Sequence, residues 1–200
     1  MLLSVRGHPC GDLLGEHKNQ YISVLTYAAL DMSESFTDFE FREASNTLTN
    51  EDLETVLQAL TQALEAAGDQ REAYWANRIS PFWNNLWPKS TERITPRISE
   101  LLVQLILSAG DAFPAGYKLV RAWIIPVEFL HHLIQLLSNS GMCNKYPKES
   151  LDILTALIVD QSFPPDELST CLEQIFAGDI TLEKSQKTEW LKIYLRRKNG

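Results

Sequence analysis

Apolar residues along this chain recur at intervals of three and four, the spacing that stacks side chains on one face of an α-helix. The clearest run follows Thr49-Asn50. Leu53, Val56, Leu57, Leu60, Leu64 and Ala67 share one face, while Glu54, Gln58, Thr61, Gln62 and Glu65 take the other. Asn50 or Thr49 can cap the first free N–H groups, Glu51 and Asp52 suit the positive end of the dipole, and Gly68 supplies a left-handed stop. A second helix is predicted from Arg71-Glu72-Ala73-Tyr74-Trp75 towards Leu86-Trp87, with Pro81 either kinking it or restarting it after a Ser80 cap. Thr95-Pro96 reads as cap and first-turn proline, opening Ile98, Leu101, Leu102, Leu105 and Ile106 before Gly110 closes the segment.

The same reading predicts helices over Glu16–Met32, Ala115–Ile124, Val127–Ser138, Pro147–Asp160 and Pro165–Ala177, and one from Asp179 or Thr181 to Arg197. Phe36 to Phe41 is a short alternating strand or a loop anchored by aromatics. Val, Ile and Thr are otherwise scattered among leucine-rich helical patterns, and no Asn-Gly or Asp-Gly turn joins two alternating runs. The expected fold is therefore all-α, an antiparallel helical stack with short connections. An offset of 51 residues lays Pro96 over Pro147, Ser99 over Ser150, Leu102 over Ile153, Ile106 over Leu157 and Pro114 over Pro165. Helical repeats of the HEAT and armadillo kind have periods of about 40–47 residues. The echo leaves two architectures open, a HEAT-like, solenoid-leaning stack and an irregular helical bundle.

With 200 residues, 44% hydrophobic and 22% charged, the chain suits one domain or two very small ones and is not collagenous, low-complexity or wholly disordered. The expected division is an acidic, partly helical segment over 1–48 and a helical domain over 49–200, the two forming one continuous domain overall. Charge is distributed unevenly: residues 1–70 hold three basic residues (Arg6, Lys18, Arg42) against twelve acidic ones, and the rest of the chain is nearly balanced within a total of −8. Such a field disfavours non-specific binding to nucleic acid or an anionic membrane, except through the later part. The three cysteines, Cys10, Cys143 and Cys171, are widely spaced with no Cys-x-x-Cys pair, and read as reduced thiols. Cys171 falls on an apolar face, whereas Cys143, near Gly141 and Lys145, is expected to be exposed. Met1–Arg6 lacks the apolar core of a secretory signal, and the longest stretch free of charge, Phe129–Asn144, is too polar and short for a membrane span. The expected location is the cytoplasm.

Three constellations could carry chemistry. Trp75, Trp83 and Trp87, with Tyr74 and Phe82, lie among Arg71, Arg78, Lys89 and Arg93, and interleaved rings and cations can stack bases or bind sugars. The same rings recur at helical spacing, as a core stripe does. Glu128 and His131 form a single Glu-x-x-His, where di-iron bundles need two; His132 points about 100° away from His131 on a helix. Lys184, Lys187, Lys192, Arg196, Arg197 and Lys198 make a basic last helix with Trp190, Leu191, Tyr194 and Leu195 as its apolar side. Its cations complement the helix dipole, contact the acidic first third within or between copies, or form a nucleic-acid patch. No nucleophile elbow, phosphate loop or dinucleotide fingerprint is present. No cofactor or metal is expected.

The runs Tyr74-Trp75-Ala76-Asn77-Arg78-Ile79, Pro81-Phe82-Trp83, Leu86-Trp87-Pro88-Lys89 and Ala109-Gly110-Asp111-Ala112-Phe113-Pro114 are similar to helical C-terminal regions of large bacterial multidomain proteins. Some of those act in phage defence with a sirtuin-like or nucleotide-binding effector at the other end. The likeness covers residues 70–197 and implies a sensor or scaffold surface with no catalytic residue. The leading expectation is thus a non-enzymatic helical module that binds another protein or itself. The alternatives are a nucleic-acid module using Arg71, Trp75, Arg78, Trp83, Trp87, Lys89 and Arg93, and a small enzyme with a site near Glu128 and His131.

Overall fold

A computed structural model describes residues 17–31, 48–88, 91–127, 130–158 and 163–196, and every regular element among them is helical. Phe36–Phe41, Cys10, Lys89 and Glu128 lie outside the described residues. The chain divides into two compact units, Met1–Arg93 and Ile94–Gly200. The division falls at 93/94, so the segment expected to end at residue 48 and the helix after it belong to one unit.

In the first unit, α1 (Lys18–Asp31) packs on α2 (Asn50–Ala66). Helix α2 buries Leu53, Val56, Leu57, Leu60 and Leu64 on one face, as the periodicity requires. Of the two capping candidates, Thr49 does the work. Its hydroxyl accepts from Asp52 N at 3.2 Å and its own N–H donates to Asp52 Oδ2 at 2.8 Å, a reciprocal capping box. Asp52 is also the anchor for α1, because Lys18 Nζ stands 2.7 Å from Asp52 Oδ1 while the carboxylate is nearly enclosed. Burial alone would raise its pKa, but Lys18 and the two Thr49 donors outweigh it and hold the carboxyl below its usual 3.8. Gly68, at φ 54, turns the chain out of α2.

The next stretch settles the question of Pro81. Helix α3 (Arg71–Tyr74) runs into a π-turn (Trp75–Ile79) and then α4 (Ser80–Leu86) without an interruption. Ser80 is helical, at φ −62 and ψ −45, and caps nothing. Its N–H reaches back five residues to Trp75 O, so the wide turn re-registers the ladder immediately before a residue that has no N–H to give. Trp87 leaves the helix at ψ 138, the extended backbone that a following proline imposes.

The second unit comprises α5 (Pro96–Leu107), α6 (Phe113–Val120), α7 (Leu130–Asn139), α8 (Met142–Lys145), α9 (Pro147–Leu157), α10 (Glu167–Gly178) and α11 (Gln186–Arg196). Thr95 caps α5 by accepting from Ile98 N at 3.1 Å, and Pro96 occupies the first turn. Helix α10 is central, packing on α7, α8 and α9 with Leu168, Cys171, Leu172 and Ile175 buried. Ser99 on α5 holds the chain between α6 and α7, donating to Ile125 O and accepting from Ile125 N, both at 3.0 Å. Beyond α10 the expected continuous helix is broken. Asp179 caps a 3-10 turn (Ile180–Lys184), and Ser185 starts α11 afresh by accepting from Thr188 N at 3.2 Å.

One expectation is corrected here. Cys143 is fully buried, not exposed. Gly141, at φ 75, starts the one-turn helix α8, which lies against α10. The approach is so close that a Cβ on Gly178 would sit 2.2 Å from the backbone oxygen of Asn144. As for the offset of 51 residues, α5 and α9 both open on a proline and both bury their serine, Ser99 and Ser150. The helices that follow differ in length, eight residues in α6 and twelve in α10.

Two predictions follow from this packing. Gly178→Ala forces backbone apart at the α8–α10 contact and should lower stability by about 1–3 kcal/mol in urea titration, as overpacking does. Asp52→Asn removes a carboxylate whose folded pKa is depressed, so that group stabilises above pH 3.8 and loses its effect as pH falls through the lowered folded value. The variant should therefore be less stable than the parent by about 1 kcal/mol at neutral pH. The gap should close in acid, as read from thermal midpoints across pH.

Candidate docking surface

The tryptophan cluster belongs to the interior of the first unit. Trp75, Trp83 and Trp87 are 3%, 6% and 3% exposed, and the Trp83 and Trp87 rings stack at 4.6 Å with 12° between their planes. Rings enclosed in this way have no open face for a base or sugar, which is the packing alternative read from their helical spacing. The cations beside them are half-buried and engaged with backbone. Arg78 donates to Asp31 O at 3.4 Å and Arg93 to Leu48 O. The Trp75 indole N–H and Arg71 Nε are enclosed without a hydrogen-bond partner among the described residues. The expected set Arg71, Trp75, Arg78, Trp83, Trp87 and Arg93 is thus gathered in one region, but its rings face inward.

His131 and His132 both lie exposed on α7. Among the described residues no three His, Cys, Asp or Glu side chains are grouped to hold a metal ion, and no helix is long and apolar enough to cross a membrane.

The outer face of α11 presents a different arrangement. Thr188, Leu191 and Tyr194 are buried and hold the helix down, with Trp190 and Tyr194 stacked at 5.9 Å. Ile193 falls out of phase with that buried set and is 53% exposed. It lies one turn after the half-buried Trp190 and one turn before the exposed Arg196. Ile180, in the 3-10 turn that packs on α11, is 66% exposed. Two large aliphatic side chains and the edge of an indole are therefore offered to water within a basic segment. Helix-spacing rules group Leu191, Tyr194 and Leu195 as the apolar side and leave Ile193 unremarked; its misfit with that stripe is the signal that identifies it.

Charged and polar contacts fix this helix in place. Asp152 on α9 accepts from Lys187 Nζ at 2.6 Å and from the Tyr117 hydroxyl of α6 at 3.2 Å. Lys192 reaches Glu183 and Glu189 at 3.7 and 3.4 Å, and stands 5.7 Å from the Phe176 ring centre. Burial first, then the Asp152 charge and hydrogen bond, push the Tyr117 phenol up to about 12. A phenol held protonated donates a hydrogen bond, so the trio clamps helices α6, α9 and α11 together. Because the folded pKa is raised, Tyr117 stabilises fully below pH 10 and that contribution is lost as pH climbs towards 12. Tyr117→Phe should lose stability less steeply than the parent between pH 10 and 12, measured by urea midpoints.

No family model, curated protein or solved structure matches the chain at a significant level.

Proposed function

We propose that this protein is a non-enzymatic, cytoplasmic scaffold or sensor module that binds another protein through the outer face of α11. The observation that carries the reading is Ile193, an aliphatic side chain 53% exposed on a helix whose other large apolar residues are buried or half-buried. Apolar groups at the centre of a small patch supply most of the energy of protein association, and polar groups at the rim supply selectivity. Here Arg196 is exposed one turn further along the same helix, so the fitting partner is a segment with apolar anchors edged by acids. The similarity of residues 70–197 to helical C-terminal regions of large bacterial multidomain proteins, some of which act in phage defence, favours the same role, and so does the echo between Pro96 and Pro147.

Ile193→Glu and Ile180→Glu test it in the full chain. Both side chains are exposed, so each change should move stability by no more than about 0.5 kcal/mol. The variants should lose whatever association the parent shows, whether self-association in sedimentation velocity or co-purification of a defined protein from the native cell. Binding that survives both substitutions would overturn the docking surface. A salt-dependent gel shift with DNA or RNA would favour the nucleic-acid reading instead.

A further inference from the structure

The core of the second unit contains a polar cluster that neither packing nor α11 explains. Cys143 on α8 and Cys171 on α10 are both fully buried, and both are free thiols. They line up on one side of α7, where Cys143 Sγ donates to Leu137 O at 3.9 Å and Cys171 Sγ to Ile134 O at 3.6 Å. Those two carbonyls are one helical turn apart. Helices α8 and α10, which carry the thiols, pack directly on each other. Each thiol is the first influence on the other's ionisation. Two hydroxyls complete the group, Ser150 beside Cys143 and Ser138 beside Cys171.

The environment makes the two sulfurs unequal. The Cys143 thiol is pushed up, first by its interaction with Cys171 and then by burial. Cys171 is drawn down against its own burial, first by Cys143 and then by the nearby Ser138 hydroxyl, and is the sulfur that ionises first.

We propose that Cys143 and Cys171 form a reversible dithiol site, which a small hydroperoxide oxidises to an intramolecular disulfide joining α8 to α10. In the first step the Cys171 sulfur attacks the peroxide. An S–O bond forms, the O–O bond breaks, and the departing oxygen takes the thiol proton and leaves as water or alcohol. The sulfenic acid so formed at Cys171 is then attacked by the Cys143 sulfur. The S–S bond forms, the S–O bond breaks, and hydroxide leaves with the Cys143 proton as water. Two thiols are oxidised by two electrons and one peroxide is reduced; an external dithiol reverses the change by thiol–disulfide exchange. Access comes through α8, a single turn of four residues, whose brief opening bares both sulfurs.

The full chain treated with dilute hydrogen peroxide, then alkylated under denaturing conditions and digested, tests the assignment. The expected result is one dominant cross-linked pair of peptides containing Cys143 and Cys171, with Cys10 still alkylated and the pair cleaved by dithiothreitol. In Cys143→Ser the sulfenic acid has no resolving thiol, so dimedone should label Cys171. Should that variant fold poorly, the cross-link map of the parent decides alone. Three intact thiols after treatment, a cross-link through Cys10, or only sulfinic and sulfonic acids would each overturn the proposal.

Discussion

Proline carries no backbone N–H, so it sits without penalty only where a helix would leave that donor unpaired, and this constraint places the starts of α5, α6 and α9 and the end of α4. Pro96, Pro114 and Pro147 occupy first turns, and Pro88 follows the last turn of α4. Pro81 is met inside a stretch that is helical on both sides, and there the ladder widens into a π-turn to accommodate it. Once the helix starts are fixed, the apolar stripes between them have a defined orientation. Helix α10 can then bury Leu168, Leu172 and Ile175 against three neighbours.

Polar side chains lock the orientation that apolar burial chooses. Asp52 serves at once as half of a capping box and as the partner of Lys18, so the start of α2 and the position of α1 are a single constraint. Asp152 does the same for the second unit by holding Tyr117 and Lys187. Hydrophobic contact is tolerant of rotation, whereas a carboxylate that must meet two donors is not.

The helices, their capping threonines and the stop at Gly68 were legible because each has a local signature of spacing, side-chain type or backbone conformation. The π-turn, α8 and the restart at Ser185 were not. One turn of four residues has no period to detect, and a serine gives the same local signal whether it caps a helix or decorates one. Burial of Cys143 is a tertiary outcome, set by how α8 lands on α10 and not by Gly141 or Lys145 nearby. The tryptophan cluster was read both ways from sequence, and its helical spacing was the better guide. Ile193 has no local signature because it stands outside the stripe that helical spacing defines, and its exposure shows only once the buried face of α11 is known.

The wide turn at Trp75–Ile79 has a consequence for the evolution of the first unit. A π-turn amounts to one inserted residue in an otherwise regular helix, and one residue corresponds to about 100° of rotation. Loss of a single codon there would restore an ordinary ladder and leave Phe82, Trp83 and Leu86 near their present directions, because the wide turn absorbs its extra residue locally. The wide turn therefore tolerates loss of one residue better than the regular turns on either side, where each residue lost would rotate everything beyond it by about 100°.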